Sequence, residues 1–129
     1  MSNTPITEAK HPFCFVVSED SDGAGFLSRD VATIAGGEAG ATIRVGDVLA
    51  KSADGTRVPL NPAADNGTQH FDSIAAYPVH VPAGETAQIT VINTHATVRD
   101  ADLNYPTGIT APQKATLVAE MADKLIKLR

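Results

Sequence analysis

Between residues 26 and 98 no apolar run lasts long before a turn former interrupts it. Punctuation of this kind, with turn signals about every 8–12 residues, is the pattern of a small barrel or sandwich-like sheet. The run at 31–34 ends in Gly36 and Gly37, and those at 42–45 and 48–51 flank Gly46 and Asp47. Asp54-Gly55 is a strong two-residue hairpin signal between V-L-A-K and R-V-P-L. Residues 61–68 are a loop of turn formers, 74–77 is another apolar run, and Val79 and Val81 alternate with His80. Residues 87–98 form the longest strand candidate. Its period of two sets Ala87, Ile89, Val91 and Asn93 on one face and Gln88, Thr90, Ile92 and Thr94 on the other.

The C-terminal part changes period. Thr110 and Gln113 have the spacing of a capping box, and Pro112 suits a first helical turn because its missing N–H is not needed there. Ala115, Leu117, Val118, Met121 and Ala122 follow at helical spacing, which predicts a helix over about 111–123. Leu125, Ile126 and Leu128 then form a short apolar run suited to a last strand. The fold class expected is mainly β with a C-terminal helix, an α+β domain built on a small barrel.

The N-terminal 25 residues read differently. Pro12 precedes a short apolar patch, Phe13, Cys14, Phe15, Val16 and Val17, and an acidic, glycine-rich stretch follows at 18–25. A patch of five apolar residues between polar runs is too short for a core helix but long enough for one strand. The expected division is an arm over 1–25 and a β-rich domain over 26–129, the arm carrying one adhesive strand.

Charge and composition narrow the function. Ten Lys and Arg against fifteen Asp and Glu leave a net charge of −5, the opposite of the basic face that binds nucleic acid. No apolar run is long enough to span a bilayer, and the start lacks the pattern of a secretory signal. Neither nucleic acid nor membrane is an expected partner, and synthesis in the cytoplasm is expected. Cys14 is the single cysteine, so no internal disulfide is possible. It sits in an apolar patch without a cationic neighbour to lower its pKa, which suits packing better than nucleophilic chemistry. His80 and His95, on candidate strands, are the strongest ligand candidates, with Asp72 or Asp100 as possible companions. Their spacing matches no metal motif. Residues 36–40 resemble a phosphate loop, but no Lys-Ser/Thr pair follows. No catalytic constellation, resident metal or cofactor is expected. A compact domain with an adhesive segment suits protein binding.

Several stretches, taken in order, resemble the head decoration proteins of lambda-like tailed phages. They are E-A-K-H at 8–11 through F-V-V-S-E at 15–19, L-S-R-D at 27–30 and V-A-T-I-A-G-G at 31–37. G-D-V-L-A-K at 46–51, V-P-L-N-P-A at 58–63, A-D-L at 101–103 ahead of Pro106, G-I-T-A-P-Q-K at 108–114 and the closing L-I-K-L-R continue the likeness. One departure is the segment 71–78, F-D-S-I-A-A-Y-P, which lacks the glycine that family members commonly carry there. The resemblance implies a β-tulip-like homotrimer on the outer surface of the phage head, a cement protein rather than an enzyme. It would bind the expanded shell at three-fold sites through the major capsid protein and hold it against DNA pressure. It also implies that the arm strand, Pro12 with Phe13, Cys14, Phe15, Val16 and Val17, is the capsid-binding element. The alternatives from other classes are a β-barrel ligand- or metal-binding domain using His80 and His95, and a phage tail adaptor.

Overall fold

The computed structural model describes residues 10–20 and 26–129. Strands β1 (Val16–Glu19), β2 (Arg29–Ala35), β3 (Ala41–Ile43), β4 (Val48–Lys51), β5 (Arg57–Pro59) and β6 (Ser73–Ala75) come first. They are followed by β7 (Val79–Val81), β8 (Thr86–Ile92) and β9 (Ala96–Val98), then a 3-10 turn (Asp100–Asp102), helix α1 (Ala111–Asp123) and β10 (Ile126–Leu128). Five strands close a barrel in the order β2-β5-β4-β6-β8. Beside it lie a three-stranded sheet, β1-β9-β10, and a two-stranded ribbon, β3-β7. The expected fold class is the observed one: mostly β, a small closed barrel and one C-terminal helix.

Side-chain alternation divides the interior in two. The barrel core contains Ala32, Ile34, Ile43, Leu49, Ala75, Val81, Ile89 and Val91. A larger core lies between barrel, helix and sheet, and holds Phe15, Val48, Ala50, Ile74, Ile92, Val98, Leu117, Met121 and Ile126 among others. Strand β4 belongs to both, with Leu49 facing one core and Val48 and Ala50 the other. That is why three of its residues in succession are buried.

Local signals formed as read. The hairpin β4–β5 pairs Leu49 with Pro59, Ala50 with Val58 and Lys51 with Arg57. At its turn Gly55 has φ +90, and the Asp54 carboxylate accepts from both the amide and the hydroxyl of Thr56. Helix α1 occupies the expected 13 residues. Its capping box is complete: Gln113 N–H donates to Thr110 Oγ1 at 3.3 Å, and Thr110 N–H donates to Gln113 Oε1 at 2.9 Å. Its core-facing residues are Leu117 and Met121, one turn apart, while Ala115 and Ala122 stay exposed. Strand β6 forms without the family's glycine, buried along its whole length.

One expectation is corrected. The single strand expected over 87–98 is two strands in two sheets. Strand β8 stops at Ile92, and His95 takes a left-handed φ of 49° in the turn before β9. Thr94 fastens that turn by donating from Oγ1 to the Lys124 carbonyl at 2.6 Å. The expected division into an arm over 1–25 and a domain over 26–129 falls in part on residues 1–9 and 21–25, which lie outside the described residues. Strand β1 pairs antiparallel with β9, matching Val16 to Val98 and Glu19 to Ala96 with a bulge between. Phe15 is 0% exposed in the larger core. A phenylalanine left in water forfeits about 1.5–3 kcal/mol of burial, so the patch docks on the domain rather than hanging free.

Phe15→Ala is expected to destabilise the domain by about 3–5 kcal/mol, the usual cost of emptying an aromatic site in a closed core. Urea unfolding followed by circular dichroism measures it. A change below about 1 kcal/mol would show that Phe15 is not part of the cooperative core.

Candidate functional site

The docked N-terminal segment builds an aromatic surface. After Pro12, which is exposed, Phe13 takes a left-handed φ of 61° and donates its amide to the Ala76 carbonyl at 3.1 Å. Its ring, half-buried, meets Tyr77 edge-on with centroids 5.3 Å apart. Strand β2 supplies the centre. The Arg29 guanidinium carbon lies 4.2 Å from the Phe13 ring centroid and 4.1 Å from that of Phe26. The arginine is thus stacked between two aromatic faces, each attracting its positive charge. Val31, two residues along the same outward face of β2, is 59% exposed. Phe13, Arg29, Asp30, Val31, Tyr77 and Thr90 line one shallow groove. Exposed tyrosine, phenylalanine and arginine in one patch are the residue types that dominate protein interfaces.

Arg29 is held in place by β1. Its Nε donates to Glu19 Oε2 and its Nη2 to Glu19 Oε1, both at 2.9 Å. The buried Ser28 hydroxyl also donates to Glu19. The Arg29 hydrogen bonds, with help from Ser28 and against a desolvation cost, hold the Glu19 carboxyl below its ordinary value of 4.5. This bidentate pair ties the N-terminal strand to the barrel wall and fixes the arginine that the aromatics cover.

A second anchor sits at the start of the described chain. Lys10 Nζ donates to the Asp102 carbonyl at 2.8 Å and to Asn104 Oδ1 at 3.0 Å. Asn104 Nδ2 in turn donates to Val45 O and to Asp47 Oδ1. Gly46 makes this corner possible, because a Cβ there would stand 2.5 Å from the Asp102 carbonyl oxygen. Nearby, Tyr105 donates its hydroxyl to Asp100, and burial above all raises the phenol pKa.

The six arm residues therefore have different fates. Pro12 is exposed, Phe13 sits in the aromatic patch, and Cys14 is half-buried. Phe15 is core, Val16 packs against it, and Val17 is 40% exposed on β1. Burial, followed by the Asp102 charge, pushes the Cys14 thiol up, the direction opposite to that of an activated nucleophile. His80 and His95 are not brought into one site. His80 Nδ1 meets Thr42 Oγ1 on the β3–β7 ribbon, and His95 Nδ1 meets Thr94 Oγ1 beside α1. Among the described residues no three His, Cys, Asp or Glu side chains gather as metal ligands would. The Arg29 stack was missed from sequence. Its one signal is Val31, an apolar residue on the outward register of β2, where Ala32 and Ile34 point inward.

Glu19→Gln is expected to lower stability at pH 7, with the deficit shrinking in acid. A depressed carboxyl pKa stabilises the fold fully above the unfolded value, and the contribution is lost as pH falls through the folded value. The wild-type advantage should therefore fade below about pH 4.5. Denaturant titrations of both proteins across that range test it, and a gap that persists unchanged in acid would exclude the Glu19–Arg29 pair as its source.

The family model described as bacteriophage lambda head decoration protein D matches residues 5–126. No curated protein matches the chain.

Proposed function

The chain belongs to the bacteriophage lambda head decoration protein D family, and from that premise we propose that it cements the outside of its phage head as a homotrimer at three-fold sites of the expanded shell. The family is one of head decoration, structural rather than enzymatic, and its place is the phage head in the virion. The match over 5–126 carries the reading, because it spans the barrel, the helix and the docked N-terminal strand together.

The physics supports the finer parts. In this reading the partner is the major capsid protein, and each trimer engages several capsid subunits at once. Linked contacts gain from effective concentration, so modest single affinities suffice to hold the trimer on the shell. A protein that binds only the expanded shell also shifts the shell toward that state by mass action. A net charge of −5 suits a surface that must not adsorb DNA.

The docked patch modifies the arm. Phe15 is committed to the core, so the capsid-binding element is the chain ahead of Phe13, including Pro12, with half-buried Phe13 and exposed Val17 as its neighbours. Deleting residues 1–9 is expected to abolish co-sedimentation with expanded, undecorated capsids. The urea midpoint should stay within error of wild type. Unchanged sedimentation would remove the arm from the binding surface. Cryo-electron microscopy of decorated capsids tests the three-fold location, and sedimentation equilibrium of the free protein tests the trimer.

A further inference from the structure

Two apolar patches on the described chain lie open to solvent. Its exposed large apolar side chains include Phe26, Val31 and Tyr77, gathered around Arg29, and Leu125, just past the end of α1. The first patch is the shallow groove around Arg29. Its arginine is neutralised by Glu19. Asp30 is exposed and accepts from the Val31 amide and from Asn93 Nδ2. It forms no salt bridge among the described residues, so the uncompensated charge of this patch is negative.

The second patch is an open groove of about 420 Å³ lined by Val118 and Ala122 of α1 and by Leu125, Ile126, Lys127 and Leu128. Val118 and Ala122 are one helical turn apart and form an apolar stripe with Leu125. Leu125 follows the helix end with φ 61°, a position where glycine is usual. A leucine held there at a backbone cost, and left 60% exposed, gains little from its own chain. Lys127 is the one charged residue of this lining and forms no salt bridge among the described residues. The second patch is therefore positive.

The sheet order β1-β9-β10 sets the patches apart. Glu19 of β1 holds the arginine patch at one edge of that sheet, and β10 carries the groove at the other. A two-fold contact joins a surface to itself, whereas a ring joins two different surfaces of successive copies. Pairing either patch with itself brings Asp30 toward Asp30, or Lys127 toward Lys127. Pairing one with the other brings Asp30 to Lys127.

We propose that the two patches meet head to tail between copies of this chain, with Val31 and Tyr77 of one copy seated on the Val118–Ala122–Leu125 stripe of the next and Asp30 opposite Lys127. The proposal rests on the homotrimer reading above and assigns that trimer its subunit interface. Burial of the two apolar patches supplies affinity, and the charge pair sets which surfaces meet. Arg29, already fixed by Glu19 and the rings, has little freedom left to lose on contact.

Sedimentation equilibrium of the full chain tests this with Val31→Lys and Leu125→Asp, each checked for a wild-type circular dichroism spectrum. Val31→Ser and Leu125→Gly repeat the test without added charge should either variant misfold. Each variant should need about tenfold or more higher concentration to form trimers than the wild type. Mixed in equal amounts, the two should form a dimer of one copy each, because one contact between them keeps both its patches intact. Variants that assemble like the wild type would overturn the inference and leave the homotrimer reading standing. Variants that remain monomers when mixed would overturn the head-to-tail pairing. A wild type that forms no trimer at any concentration would overturn the inference and the homotrimer reading together, and co-sedimentation with capsids then judges decoration by itself.

Discussion

The structure depends on one shared wall. Strand β4, with β6 beside it and β8 beyond, presents side chains to the barrel core on one face and to the helix-side core on the other. A one-residue slip would exchange Leu49 with Val48 and Ala50 and disturb both cores together. Two small cores without a tryptophan are each marginal. Joined through a common wall, they resist unfolding as one unit. The N-terminal strand enters the same unit through Phe15, so what looks like a polar tail in composition is partly structural.

What was legible in the sequence was local. Thr110 and Gln113 sit three apart, and the capping box needs only that spacing and a helix to follow. Asp54-Gly55 needs only a backbone that tolerates φ above zero. What was hidden depends on distant partners. Nothing between Ala87 and Val98 announces that the chain leaves one sheet for another, because the break is fixed by Thr94 bonding to Lys124 some thirty residues away. The fate of Phe13–Val17 likewise turns on Val98 and Ala76, neither near in sequence. The family likeness was legible because it lies in the order of many short segments, each weak alone.

The aromatic surface around Arg29 was less legible for the same reason. Arg29 belongs to β2, Glu19 to β1, Phe26 to the chain just ahead of β2 and Tyr77 to the chain just after β6. Only the closed barrel and the docked strand bring them together. An arginine pinned by a carboxylate and sandwiched by rings has lost most of its freedom before any partner arrives. Such pre-ordering lowers the entropy cost of association, a large part of what limits affinity.

A head decoration protein must bind a shell without itself becoming a site of uncontrolled assembly. Exposed strand edges are the usual hazard, and lysines on an edge are a usual protection. Strand β10 carries Lys127 at its centre, with Lys124 and Arg129 at its ends. Those charges repel a second copy of the same edge. The apolar stripe beside it would be a liability on a monomer in free solution.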